Sequence, residues 1–185
     1  MQRALVGIAV AVALVVAGAA EPARPPKAAL SAREAGYLAG YLAALEAQRA
    51  GEQTVSTIGD AAGAAEGFRA GARAALPDVR ILRGTARGPA ACRALALDQV
   101  ARGSFVVLAD ARTCGTAALA AVRAGYVWAV PAGTAAPVGG PHVLTSVVLR
   151  GDAAALGPIS AVVPRDELAR IHTLTGRIRL GLKVD

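Results

Sequence analysis

Apolar residues return at helical spacing at Leu38, Leu42 and Leu45, and Ser31 precedes Ala32-Arg33-Glu34 in the order of a capping box. Together these predict a first helix running through Arg49. Thr54–Ile58 is a β-branched run stopped by Gly59-Asp60, which reads as a strand. From Ala64, the residues Ala65, Phe68, Ala72 and Leu76 share one helical face until Pro77 ends it. Val79–Leu82 predicts a second strand, and Pro89 opens a helix to Arg102 with Gly103 as its stop. Ser104–Ala109 is continuous, apolar and free of proline, the pattern of a strand covered on both faces. Asp110–Gly115 then reads as a loop, Thr116–Ala124 as a helix ended by Gly125, and Tyr126–Val130 as a fourth strand. The Pro/Gly-rich stretch Pro131–Pro141 reads as a connection and His142–Leu149 as a fifth strand. Pro164 starts a last helix to about Leu174, and Arg177–Val184 alternates weakly, as an edge strand would.

Strands separated by helices of this length build parallel βαβ units. The expected fold class is therefore α/β, a doubly wound, mostly parallel sheet with helices on both faces. Right-handed crossovers bring every loop that follows a strand to the carboxyl edge of the sheet. With a 2-1-3-4-5 order, the ligand crevice opens between the loops after the first and third strands. Those loops are Gly59–Gly63 and Asp110–Gly115. They offer Asp60, Asp110, Arg112, Thr113 and the backbone of Gly115 at a helix start, a set suited to a polar, sugar-like or carboxylate-bearing small molecule. Asp60 and Asp110 equally suit the caps of the helices they precede.

The amino terminus bears on the compartment. Arg3 precedes an apolar run from Ala4, and Ala17-Gly18-Ala19-Ala20 supplies small residues for cleavage, so residues 1–20 read as a secretory signal peptide. The run of about 17 residues is at the lower limit for crossing a bilayer, and an uncleaved anchor at the plasma membrane is the rival reading. Residues 21–29, with Pro22, Pro25 and Pro26, form a stiff linker to a lobe spanning 30–185. An exported, periplasmic or extracellular chain meets oxidising conditions, so Cys92 and Cys114 are candidates for one disulfide or for two small buried hydrophobes. Both lie at the carboxyl edge, but the first strand separates them in a 2-1-3 order, and a bond needs Cα atoms within about 7 Å.

Composition then excludes classes of function. The chain is 55% hydrophobic and 18% charged, enough to bury a core. Its +7 charge invites a nucleic-acid reading, but the arginines are dispersed with no basic block, and all but Lys27 and Lys183 of the 20 basic residues are arginine. Only six aromatics are present, too few for base-stacking platforms, so no nucleic-acid partner is expected. Gly59, Gly63, Gly67 and Gly71 recur every fourth residue without forming a dinucleotide or Walker loop, and point to close helix packing instead. His142 and His172 have no ligand spacing to each other or to a cysteine, and no serine sits in a nucleophile elbow. No metal, cofactor or catalytic residue is expected, and the chain does not read as an enzyme.

Several motifs in order resemble one family. Glu34-Ala35-Gly36-Tyr37-Leu38-Ala39-Gly40-Tyr41, Gly67-Phe68-Arg69-Ala70-Gly71-Ala72 followed by Pro77-Asp78, Val143-Leu144-Thr145-Ser146-Val147-Val148, and the closing Leu180-Gly181-Leu182 look like the basic membrane protein (BMP) family. These are purine-nucleoside receptor lipoproteins that act as substrate-binding components of ABC transporters. The resemblance runs from about Glu34 to the terminus and implies the second lobe of a type 1 periplasmic-binding-protein fold. It implies a nucleoside-like ligand, an ABC permease as partner, and binding without catalysis. The sequence departs from the pattern at four points. The first lobe has no counterpart, the ribose-binding aspartate falls on Pro131 or its neighbours, the lysine after Thr-Ser-Val-Val is Leu149 with Arg150 beside it, and the lipid-bearing cysteine is absent. Two expectations follow. One is a solute-binding lobe using Asp60, Asp110, Arg112, Thr113, Gly115 and Arg150, completed by a homodimer mate or a missing-lobe partner. The other is a degenerate lobe serving as an exported protein-interaction or sensor module.

Overall fold

The computed structural model describes residues 30–114, 116–135, 138–160 and 165–179. The signal segment 1–20, the linker 21–29, Gly115 and the part of the expected last strand beyond Arg179 lie outside the described residues.

Helix α1 (Ala32–Arg49) begins where its capping box predicts: the Glu34 amide donates to Ser31 Oγ at 3.2 Å, and the Ser31 amide donates to Glu34 Oε2 at 2.7 Å. Then follow β1 (Thr54–Ile58), α2 (Ala64–Ala75), β2 (Arg80–Gly84), α3 (Pro89–Ala101), β3 (Val106–Asp110), the single turn α4 (Ala111–Cys114), α5 (Ala117–Ala124), β4 (Trp128–Thr134), β5 (Val147–Arg150), β6 (Ala153–Leu156) and α6 (Arg165–Arg179). The six strands lie in the order β2-β1-β3-β4-β5-β6, parallel except for the β5–β6 hairpin. The expected 2-1-3-4-5 order is present, extended by one strand.

Strand alternation divides the core into two layers. Val55, Val106, Leu108 and Val130 turn to one face, where α1, α2 and α6 bury Leu38, Leu42, Phe68, Ile171 and Leu174. Ile58, Val107, Ala109 and Ala129 turn to the other, against Cys92 and Ala96 of α3 and Ala118, Ala121 and Val122 of α5. The layers follow from handedness: β1 to β2 runs one way across the sheet and β2 to β3 runs back, so crossovers of one hand put α2 and α3 on opposite faces.

The glycines spaced four apart set the α1–α2 contact. A Cβ added to Gly36 or Gly40 would collide with the backbone oxygen of Ala64 or Phe68, and one added to Gly67 or Gly71 with that of Arg33 or Tyr37. The two helices therefore touch main chain to main chain.

Four differences from the sequence expectation exceed the one or two residues by which element ends ordinarily vary. The loop expected at Asp110–Gly115 contains the turn α4. Strand β4 runs on through Pro131 to Thr134, past the proline expected to end it. Ala129 exchanges hydrogen bonds with the 142–144 segment, its amide donating to His142 O and its carbonyl accepting from Leu144 N. Pro131, two residues on, has no N–H to continue that ladder. The Leu144 carbonyl accepts from the Ser160 amide at 2.9 Å instead, and regular pairing resumes only at Ala132 and Val147. The fifth strand accordingly begins at Val147, with Val143 an isolated bridge. Helix α6 reaches Arg179, so Arg177 is helical and not part of an edge strand; the edge is β6, whose alanine-rich run carries little strand signal.

Cys92 and Cys114 form a disulfide with Cα atoms 5.4 Å apart. The separation expected from strand order does not arise. Helix α3 passes over β1 on its way to β3, so its first turn meets α4 above the sheet even though β1 separates their strands within it.

Candidate functional site

The carboxyl edge gathers most of the expected residues. Gly59, at φ 73°, ends β1 so close to the next loop that an added Cβ would lie 3.0 Å from Asp110 Cβ and 3.5 Å from Thr113 Oγ1. A side chain there would force the loops after β1 and β3 apart. Asp110 closes β3 and is 3% exposed. Its Oδ1 accepts the Arg112 backbone N–H at 2.9 Å, and the Arg112 guanidinium Nε lies 3.8 Å from the same oxygen. The Arg112 side chain is 58% exposed, so this ion pair is screened by water and serves chiefly to orient the guanidinium.

A third loop joins them. A Cβ at Gly133, near the end of β4 with φ 82°, would lie 3.1 Å from Ala61 Cβ and 3.3 Å from Arg112 Nε. Arg112 therefore lies across the ends of three adjacent parallel strands, between the β1 loop and the β4 end. Thr113 is exposed on α4 and its hydroxyl donates to Asp110 O at 3.3 Å, which leaves the oxygen lone pairs available. Asp60 is also exposed, but its Oδ1 accepts the Ala65 amide at 3.0 Å and so caps α2.

The structure thus brings Asp110, Arg112 and Thr113 together, while Asp60, on the same loop as Ala61, lines a cleft between the ends of β1 and β2, and Arg150 stands apart. That residue is exposed where β5 turns into β6, two strands from β3, and makes no hydrogen bond or ion pair among the described residues. Gly115 lies outside the described residues. Sequence reading missed Gly59 as a contact and Gly133 altogether, because Pro131 placed Gly133 in a connection. The available signal was the unbroken apolar run Val130-Pro131-Ala132. Among the described residues no group of acids, histidines and cysteines is placed to hold a metal ion.

A guanidinium flanked by a buried carboxylate, an exposed hydroxyl with open lone pairs and the main chain of three strand ends presents donors and acceptors on one side only. No protein-family model matches the chain, and no curated protein matches it by sequence. Among solved structures it is similar to an ABC transporter solute-binding protein from Conexibacter woesei DSM 14684, with a TM-score of 0.65 and 21% identity over 84% of this chain and 63% of that one. It is similar to another such protein from Aeropyrum pernix K1, with a TM-score of 0.63 and 12% identity over 82% and 63%. It is also similar to a transcriptional activator of the comK gene from Bacillus halodurans, with a TM-score of 0.62 and 21% identity over 80% and 62%. The likeness is one of fold, a periplasmic-binding-protein-like lobe, and the chain spans 62–63% of the length of these proteins.

Proposed function

We propose that this chain is an exported solute-binding lobe of an ABC transporter system, which takes a polar, nucleoside-like molecule at the β1/β3 edge and performs no chemistry on it. The observation that carries this reading is Arg112, laid between Ala61 and Gly133 beside the buried Asp110 at the point where strand order reverses. The fold shared with solute-binding proteins supports it, as do the family-like motifs around Gly36, Gly67 and Thr145. One lobe covers one face of a ligand, so the affinity of the isolated chain is expected to be weak and to rise when a second lobe, from a partner or another copy, closes over it.

The test is isothermal titration of folded protein with inosine, guanosine and adenosine. Saturable heat is expected with at least one of them, weakened about tenfold or more by Arg112→Ala, as fits losing a charged hydrogen-bond donor. Absence of heat at millimolar nucleoside, with a native circular dichroism spectrum, refutes the reading.

Export belongs to the same proposal. Expressed in a secreting host, the protein is expected to lose residues 1–20 and with them Arg3, which lowers its formal charge from +7 to +6. Intact-mass measurement checks this, and a secreted species still carrying Met1–Ala20 overturns cleavage.

A further inference from the structure

One strand beyond the Asp110 group, a second cleft of about 300 Å³ opens between the ends of β1 and β2 and the flank of α2. Thr57 and Arg83 are register partners across the two strands. Both face α2, because Val55 and Ile81, two residues earlier on each strand, pack into the α1/α2 layer, and side chains repeat every second residue. Helix α2 adds Arg69, next to the buried Phe68, and the β2 end adds Thr85. Among the described residues, neither Arg69 nor Arg83 donates to a protein acceptor or forms an ion pair. Two arginines against the one acid in the cleft, Asp60, leave a formal excess of one positive charge, and an oxygen of that acid is already engaged by the Ala65 amide.

Two unpaired guanidiniums from different elements, converging on one concavity with a hydroxyl beside them, match an oxyanion, whose oxygens accept the paired N–H groups of each fork. Protection of an exposed sheet edge explains arginine on β2 in general, Arg80 included, but does not explain a second arginine reaching the same cleft from α2. We infer that this cleft binds the phosphate or carboxylate group of a small anionic molecule through Arg69 and Arg83. It needs neither Asp110 nor Arg112, so it stands or falls separately from the solute site.

Thermal unfolding of the full chain at constant ionic strength, with chloride replaced stepwise by inorganic phosphate in one arm and succinate in the other, tests this. A saturable rise in melting temperature is expected in at least one arm, and the responding arm identifies the class of oxyanion. Arg69→Gln and Arg83→Gln should each weaken the half-saturating concentration about tenfold, the loss of one charged donor pair. Arg73→Gln, on the exposed side of α2 outside the cleft, and Arg112→Ala should both leave it unchanged. Three results overturn the assignment: neither anion exceeds chloride, the response survives in both glutamine variants, or it disappears in Arg112→Ala alone. The first two leave only nonspecific ion effects, and the third moves the anion to the Asp110 group. Melting of each variant in chloride alone confirms that it is folded.

Discussion

Gly40→Ala and Gly71→Ala chains are expected to lose about 3–5 kcal/mol of stability each, enough to leave much of the protein unfolded or insoluble, since domains of this size are held by only about 5–15 kcal/mol. Gly36 and Gly40 fall one helical turn apart on α1, and Gly67 and Gly71 do the same on α2, so each pair forms a stripe on one face. At Gly40 the position of a Cβ is filled by the backbone oxygen of Phe68, and at Gly71 by that of Tyr37. Main chain within a helix cannot swing aside as a side-chain tip can. A single methyl must push the two axes apart, and that opens the layer holding Leu38, Leu42 and Phe68. Urea unfolding monitored by circular dichroism measures the loss. Gly139→Ala is the control: among the described residues it has no neighbour within 4 Å of an added Cβ, its φ is not positive, and it should change stability by less than about 0.5 kcal/mol. Near-native midpoints for the two helix variants would refute backbone-to-backbone packing of α1 on α2.

Reduction of the Cys92–Cys114 bond is expected to cost about 3 kcal/mol, the loop-closure entropy of a cross-link spanning 22 residues. Both sulfurs lie in the α3/α5 layer, with their residues 0% and 1% exposed, so a reductant acts mainly on unfolded or locally opened chains. Comparing denaturation midpoints of the oxidised protein, the reduced protein and the Cys92→Ala/Cys114→Ala variant separates the cross-link from packing, because the reduced protein keeps both sulfurs in the core. Oxidised and reduced forms agreeing within about 0.5 kcal/mol would overturn the expectation. The bond also ties the start of α3 to α4, the turn that carries Arg112 and Thr113 beside Asp110. A reduced protein is therefore expected to bind any solute at that edge more weakly than its stability loss alone explains.

Much of this architecture is legible locally. Ser31 and Glu34 mark the start of α1 by a capping box closed within three residues, and Pro89 does the same for α3 through its fixed φ. The alternation of helical and extended periods yields the parallel order and hence the edge that carries Asp60 on one loop and Asp110, Arg112 and Thr113 on the next but one. What misled were residues whose local meaning was overruled by a neighbour. Pro131 ordinarily ends a strand, but here the carbonyl it fails to bond is satisfied by Ser160, some thirty residues along the chain. Arg150 follows the Thr-Ser-Val-Val motif and looks well placed in sequence, yet it ends β5, two strands across the sheet from Asp110 at the end of β3.

By itself, then, the sequence determined the elements, their parallel order and the expectation of a polar edge site, because caps, periods and strand-to-helix alternation are set by residues within a few positions of one another. Tertiary structure alone decided which elements come together across the sheet: α3 bringing Cys92 onto Cys114, Arg112 lying over Gly133, and Arg69 of α2 and Arg83 of β2 lining one cleft. Those contacts depend on a crossover's path over the sheet and on the register of parallel strands. Both are fixed only when the two core layers close, and no short window of sequence contains them.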